Sequence, residues 1–478
     1  AEGNTAVGNS AMQNNTTGAE NVAVGQSAML TNTTGSFNNS VGTIALCANT
    51  TGTKNNAFGY GALRCNTTGN NNIAVGHAAL CVNTTGIDNV AVGCGALKAN
   101  VSGEQNVGIG QSSLSLNTAN QNTAVGYFSM LNTTSGNRNA AVGTDALKAN
   151  TTGSNNTTLG YDSVVRNTTG ACNVGIGAFA LEDNTTGGRN VALGYQALDN
   201  NTTASFNTAL GAQSLFTNTT GANNTAVGLQ ALYANTTGAE NTAVGCASLV
   251  TNTTGPSNTA IGNKSLVANT TGGSNTALGV CSLCKNTTGD TNVAVGGLAL
   301  FDATTAAGNV SVGYNTLPNA TTGYSNVAIG KEALLANTTG YCNTAFGVLA
   351  GDDVTTGALN TLIGSNASPN LSTGNGNVTI GDIGHVGTRL FNITSENDRF
   401  IAGHHNITNA YVKVAWTVTS DLRDKTNFGT VPHGLDFINK LEPVSFQFKK
   451  SREDDTPTGD VRYGFKAQDI LALEGDNN

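Results

Sequence analysis

The chain has 478 residues and carries 21 Lys and Arg against 29 Asp and Glu, a net charge of −8. That balance argues against a nucleic-acid partner, which needs a basic surface. No apolar run of 18 residues is present to cross a membrane as a helix, so no membrane insertion is expected. Apolar residues make up 38 % and aromatics 5 %, which is lean for an ordinary core.

From the first residues to Gly381 the sequence repeats. The glycine that closes each Ala-Val-Gly, or its variant, falls at Gly8 and then every 17 residues to Gly110. After one step of 16 it resumes at Gly126 and continues by 17 to Gly381, giving 23 markers, each with Asn four residues before it. A period this strict signals a solenoid, which outranks any local reading. The unit is Asn-x-Ala-Val-Gly-x-x-Ala-Leu-x-x-Asn-Thr-Thr-Gly-x-x. The residue before the marker is apolar in all 23 copies, and the residue four after it is apolar in the first 20, from Met12 to Leu334. In Asn-x-Ala-Val-Gly the x and Val positions share one strand face, and Ala and Gly share the other. Val, Ile and Thr suit strands, while Asn-Thr-Thr-Gly suits a turn. A helix is excluded because Gly and Asn recur inside every candidate. Each repeat therefore reads as two very short strands joined by two turns, burying about two large side chains.

The predicted fold is mostly β: a parallel β-solenoid or β-roll of 17-residue repeats. At roughly 4.8 Å per turn its 23 turns make a rod on the order of 110 Å. So thin a core leads us to expect several chains, three in number, to share it; a single-chain solenoid is the other reading. The expected domains are a shaft over 1–381, a β transition segment over 382–418 and a small α+β domain over 419–478. Residues 1–381 hold 25 charged residues, and the much shorter 382–478 hold as many. Before the boundary the Leu slot becomes Gly351, Ser368 and His385. Because it opens inside a repeat, without Met or a signal peptide, the sequence is expected to be a piece of a longer protein.

Nothing in the repeats converges on one point, as catalysis requires. Asn-Thr-Thr is a glycosylation sequon, but here it reads first as the turn itself. Stacked Thr rows also admit an ice-binding surface, a lesser alternative. Calcium-binding repeats would need an acidic residue at a fixed offset, where this chain has Asn and Thr. Nine cysteines at scattered offsets are not a disulfide framework. Cys47, Cys65 and Cys81 fall near one slot of successive repeats, and Cys281 and Cys284 form a lone Cys-x-x-Cys. These read as small buried thiols, and His404-His405 as a solvated loop. No cofactor and no metal are expected.

Toward the C-terminus, Leu435–Leu441 reads as a short helix stopped by Pro443. Val444, Phe446 and Phe448 alternate as a strand. An acidic loop (Glu453, Asp454, Asp455) leads to a second strand near Val461–Phe465, with a helix from about Ala467. Three blocks occur in order. Ser420-Asp421-x-Arg423-x-Lys425-x-Asn427 comes first, then Leu435 to Phe446 with Pro443 and Val444, then Tyr463-Gly-Phe-x-Ala467-Gln468-Asp469. This stretch resembles the endosialidase-type intramolecular chaperone domain of phage tail fibres and tailspikes. The resemblance implies a domain that trimerises, drives folding of the β-fibre before it and then cuts itself off with a Ser–Lys dyad. The matching residues are Ser420 and Lys425. A serine needs a base to become a nucleophile, and a neutral Lys can serve. The expected break is Thr419–Ser420, with Asp421, Arg423 and Asn427 in supporting roles. Asp424 beside Lys425 favours its charged form and so weakens it as a base. Any enzymatic activity is at most this single-turnover cut.

The Val-Ala-Val-Gly at 22–25 and Val-Ala-Ile-Gly at 327–330 are in turn similar to the repeats in the heads of trimeric autotransporter adhesins. Those heads are trimers of β-rolls, although their period is shorter. The function expected from these readings is a structural fibre of a virion: a homotrimeric shaft for extension and host-surface attachment, through a glycan or protein receptor, with a folding domain at its end. A bacterial trimeric surface adhesin is the alternative.

Overall fold

The computed structural model describes residues 2–381, 393–404, 407, 435–449 and 456–466. The chain divides into two compact units, 1–407 and 408–478. In the first, each repeat forms one turn of a parallel β-solenoid, as the period predicts. Twenty-three three-residue strands, β1 (Thr5–Val7) to β23 (Val378–Ile380), stack in one ladder. Register is one repeat per rung: Thr225 pairs with Thr242 and Val227 with Val244. The 16-residue step costs no register, since Val107 pairs with Thr123. A last strand, β24 (Phe400–Ala402), pairs with β23.

Two expectations about the repeat need correction. The Ala-Leu segment is not a second strand. The residues two and four after the marker both take left-handed backbone conformations, with φ of 55° at Gln230 and 54° at Leu232. Alternating left-handed residues curl the chain instead of extending it. Each costs about 1–2 kcal/mol for an L-residue, and burying the Leu side chain offsets roughly that amount. The ladder is kept by the backbone, as Leu232 N–H donates to Ser248 O across the turn (3.0 Å). The second correction concerns the core, which takes one large side chain per turn rather than two. Leu232, Ala226 and Ala231 are fully buried and the same slots line the whole shaft, but the apolar residue before the marker stays outside.

The rest of the interior is amide. Asn four residues before each marker forms one buried spine. Asn224 N–H donates to Asn207 Oδ1 (2.9 Å) and Asn224 Nδ2 to Gly238 O (2.8 Å). The Asn of Asn-Thr-Thr-Gly forms a second: Asn235 Nδ2 reaches both Asn218 Oδ1 (2.8 Å) and Gly238 O (2.9 Å). Both side chains are fully buried. The Asn-Thr-Thr sequon is thus the turn, with its Asn nitrogen inside the fold. The following Thr also serves the stack, with Thr236 Oγ1 donating to Thr253 O (3.1 Å). Two glycines recur in most turns for different reasons: the marker glycine is invariant, while the second gives way to Ala at 119, 204 and 306. Gly228 sits at φ +130° with Gly245 O 2.6 Å from where a Cβ would be, whereas at Gly238 a Cβ would lie 2.5 Å from Asn235 Oδ1.

Near the end of the shaft the core is repacked. Gly351 replaces the buried Leu, and Leu362, at a slot usually held by Ala, fills the space with Val354. In the second unit, α1 (Leu435–Ile438) is a single helical turn, shorter than Leu435–Leu441. β25 (Val444–Lys449) pairs antiparallel with β26 (Pro457–Gly464), with an irregularity between Phe446 and Phe448. The helix expected from about Ala467 and the acidic loop at 453–455 lie outside the described residues.

Removing one amide from a spine leaves partners buried and unpaired, at about 1–3 kcal/mol each. Asn218→Ala should therefore lower the unfolding midpoint clearly, while exposed Thr220→Ala should change stability by less than about 0.5 kcal/mol. Chemical denaturation of the two variants checks this.

Candidate functional site: the strand face of the shaft

Each strand presents two side chains outward, because its middle residue points into the core. The outer positions form two rows along the ladder: the residue before each marker and the residue two before that. All 23 members of the first row are Val, Ile, Leu or Phe. The second row holds Val, Ile, Thr, Ala or Asn, and neither row contains a charged residue. No member of the first row is buried: it ranges from partly exposed residues such as Val227 to Leu159 at 48 % and Phe346 at 55 %. Exposed Tyr60, Tyr127, Tyr161, Tyr195 and Tyr314, each just after a marker, border it.

The apolar stripe is continuous over 22 rung spacings, about 105 Å long and roughly 7 Å wide if rungs are 4.8 Å apart. Its footprint exceeds the few hundred Å² that a soluble monomer usually exposes in one patch, which marks an interaction surface. The unbroken apolar row is plain in the sequence, but its exposure is not. Periodicity shows that a face is apolar; it does not show which face closes on itself.

The other surface columns vary from turn to turn. Arg166 pairs with Asp183 and, at 3.9 Å, with Glu182. One turn on, Asp199 is only 7 % exposed. Burial, and then Glu182 and Asp183, push its carboxyl up from an ordinary 3.8 to about 6. All nine cysteines are free thiols. Burial raises Cys47 and Cys81, and burial with the Cys281 thiol alongside pushes Cys284 up to about 12. These three stay protonated at neutral pH and are poor nucleophiles. Among the described residues no group of three or more His, Cys, Asp or Glu could hold a metal, and no helix is long and apolar enough to cross a membrane. His404 is half-buried, while His405 lies outside the described residues.

The residues singled out for self-cleavage, Thr419, Ser420, Asp421, Arg423, Lys425 and Asn427, all lie outside the described residues. Comparison with known proteins bears on that stretch. The family described as chaperone of endosialidase matches residues 420–474. No curated protein and no solved structure matches the chain. A solenoid shaft followed by such a chaperone domain fits a structural protein of the tail-fibre or tailspike kind.

The Asp199 carboxyl holds its proton in the folded shaft to about pH 6, whereas in the unfolded chain it loses it near 3.8. The folded state binds more protons in that window, so this residue's contribution to stability falls as pH rises through it. Asp199→Asn should remove that component and leave the shaft more stable than the parent at neutral pH, as thermal unfolding across the pH range will show.

Proposed function

We propose that the chain is part of a viral tail fibre or tailspike, carried on the virion, in which three shafts associate along their strand faces. The shaft provides reach and attachment to a host-surface glycan or protein. The domain at 419–478 assists trimerisation and folding. The observation that carries this reading is the uncharged, solvent-accessible apolar stripe running the length of the ladder.

A partner able to cover the whole stripe must present apolar groups at the same spacing over more than twenty rungs. A second copy of the shaft has that spacing by construction. Association through one repeated face of each chain closes as a ring, which limits the assembly to a defined number of copies. The chaperone-of-endosialidase match supports self-association from the other end of the chain, and its family is typical of phage tail proteins.

The intact protein should sediment as a trimer. The double substitution Leu193→Lys, Leu210→Lys would place charges in the proposed contact, where an unpaired buried charge is strongly unfavourable. It should shift the protein toward monomer without changing its circular dichroism. A parent protein that sediments as a monomer would refute the assembly.

The same reading includes self-cleavage at Thr419–Ser420. Ser420 Oγ attacks the Thr419 carbonyl carbon while neutral Lys425 takes the hydroxyl proton. The Ser420 amine leaves with a proton, an ester joins the two parts, and water then opens it. Intact mass of the denatured protein should reveal a fragment ending at Thr419. Ser420→Ala should abolish it, and Lys425→Met should slow it by about two orders of magnitude or more. An uncut chain would remove the cleavage step and leave the fibre reading standing.

A further inference from the structure

The spine of Asn-Thr-Thr-Gly asparagines gives way at Thr133, Ala303, Ala320, Val354 and Leu371, and only at the two alanines, on successive turns, is the amide replaced by a bare methyl. Neighbouring rungs bear the cost: the fully buried Asn286, one turn before Ala303, has no partner for Oδ1, and fully buried Asn337, between Ala320 and Val354, has none for Oδ1 or Nδ2. At Val354 and Leu371 a large apolar side chain enters the core in place of the amide, whereas at Ala303 and Ala320 only a methyl does. Where a repeat gives up internal hydrogen bonds without such a gain, function at that place is the first explanation to test.

The surface over the gap differs from the rest of the shaft. A cleft of about 460 Å³ runs along the turns here, lined by Lys285, Asp302, Asn319, Ala336 and the Thr column at 304, 321 and 338. Lys285 Nζ pairs with Asp302 Oδ1 (2.5 Å) and lies over the Phe301 ring, 5.1 Å from its centre. Asn319 Nδ2 donates to Leu335 O (2.8 Å), so its Oδ1 is left to accept. Thr304 and Thr321 Oγ1 already donate to the carbonyls of the next turns (3.0 and 3.3 Å). Those threonines and Ala336 therefore offer the cleft mainly hydrocarbon. The result is a weakly apolar floor flanked by a carboxylate, an amide and an ammonium group.

We propose that this cleft binds a short saccharide segment. A sugar ring has a carbon–hydrogen face for the Thr and Ala floor and a rim of hydroxyls that both donate and accept. Asp302 and Asn319 accept from that rim and Lys285 donates to it. A peptide would need a deep apolar slot for an anchoring side chain, and the cleft has none. The volume suits a few rings rather than a long chain. This site rests on the reading of the shaft as an attachment fibre and gives it a place and a ligand class.

The test is retention of the intact protein on an array of short saccharides covering pentoses, hexoses, deoxy sugars, amino sugars and uronic acids. Ala336→Trp fills the cleft, and Ala234→Trp makes the same change at the equivalent slot six turns earlier. Binding to at least one sugar class is expected. It should fall about ten-fold or more in Ala336→Trp and in Asp302→Ala, and persist in Ala234→Trp. Sedimentation of each variant shows whether the shaft still assembles, so loss of this site is distinguishable from loss of the fibre. Absence of binding to every class, equal binding by Ala336→Trp, or retention of peptides instead would overturn the proposal.

Discussion

The shaft depends on buried amide-to-amide hydrogen bonding repeated once per turn. A solenoid this thin cannot fill its interior with large hydrocarbon side chains. One Leu and two small residues per turn leave the corners of each coil to be closed by something else. Asparagine closes them because its side chain both donates and accepts. Each Asn binds a carbonyl of its own or the next coil and an amide of the coil beside it. In a low-dielectric interior such bonds strengthen one another along the stack, and a missing member is costly. The marker glycines follow from the same close stacking, since the backbone of the next coil leaves no room for a Cβ. The left-handed Leu positions follow as well, because the chain must curl within a few residues to bring each Asn under the last.

Much of this was legible in the sequence, and for a definite reason. In a repeat protein every position is sampled many times, so the period, the strand centred on Ala226 and the Asn-Thr-Thr-Gly turn stand out without any structure. Less legible was the direction in which each apolar row faces. Val227 and Leu232 look equally like core residues in the sequence, yet only Leu232 is buried. The difference lies in backbone conformation: left-handed φ at Gln230 and Leu232 turns that segment inward, and propensity does not foretell φ for a Leu. The decay of the repeat at Gly351 was also read from sequence, but its compensation by Leu362 was not, because size exchange between rungs appears only once the rungs are paired. For the candidate sites the outcome was uneven. The three ordered blocks from Ser420 to Asp469 pointed to the family that matches 420–474, whereas the cleft near Asp302 carries no motif. Its sequence signal was the pair of alanines in the Asn spine.

The inside of the shaft is nearly uniform, and its outside is divided by role. One face is apolar over the full length and free of charge. The remaining columns change from turn to turn, carrying ion pairs such as Lys148–Asp145, stacked rings such as Tyr324–Tyr341 and the cleft at the interrupted rungs. Uniform backbone geometry lets these columns vary freely, since each turn is held by its spine and not by its surface. Length, assembly and recognition can then be set by different residues of the same 17-residue unit.

The central claim, that the asparagine spines hold the coils together, is tested most directly by hydrogen exchange of the intact shaft resolved to individual amides. The account predicts strong protection of the backbone N–H of each Asn four residues before a marker, from Asn21 to Asn377, since each donates to the Asn side chain of the previous coil. It also predicts weaker protection where the second spine is broken, around Thr133 and between Ala303 and Ala320. Fast exchange at those Asn amides alongside protected strand amides would contradict it and leave the strand ladder alone as the source of the shaft's stability.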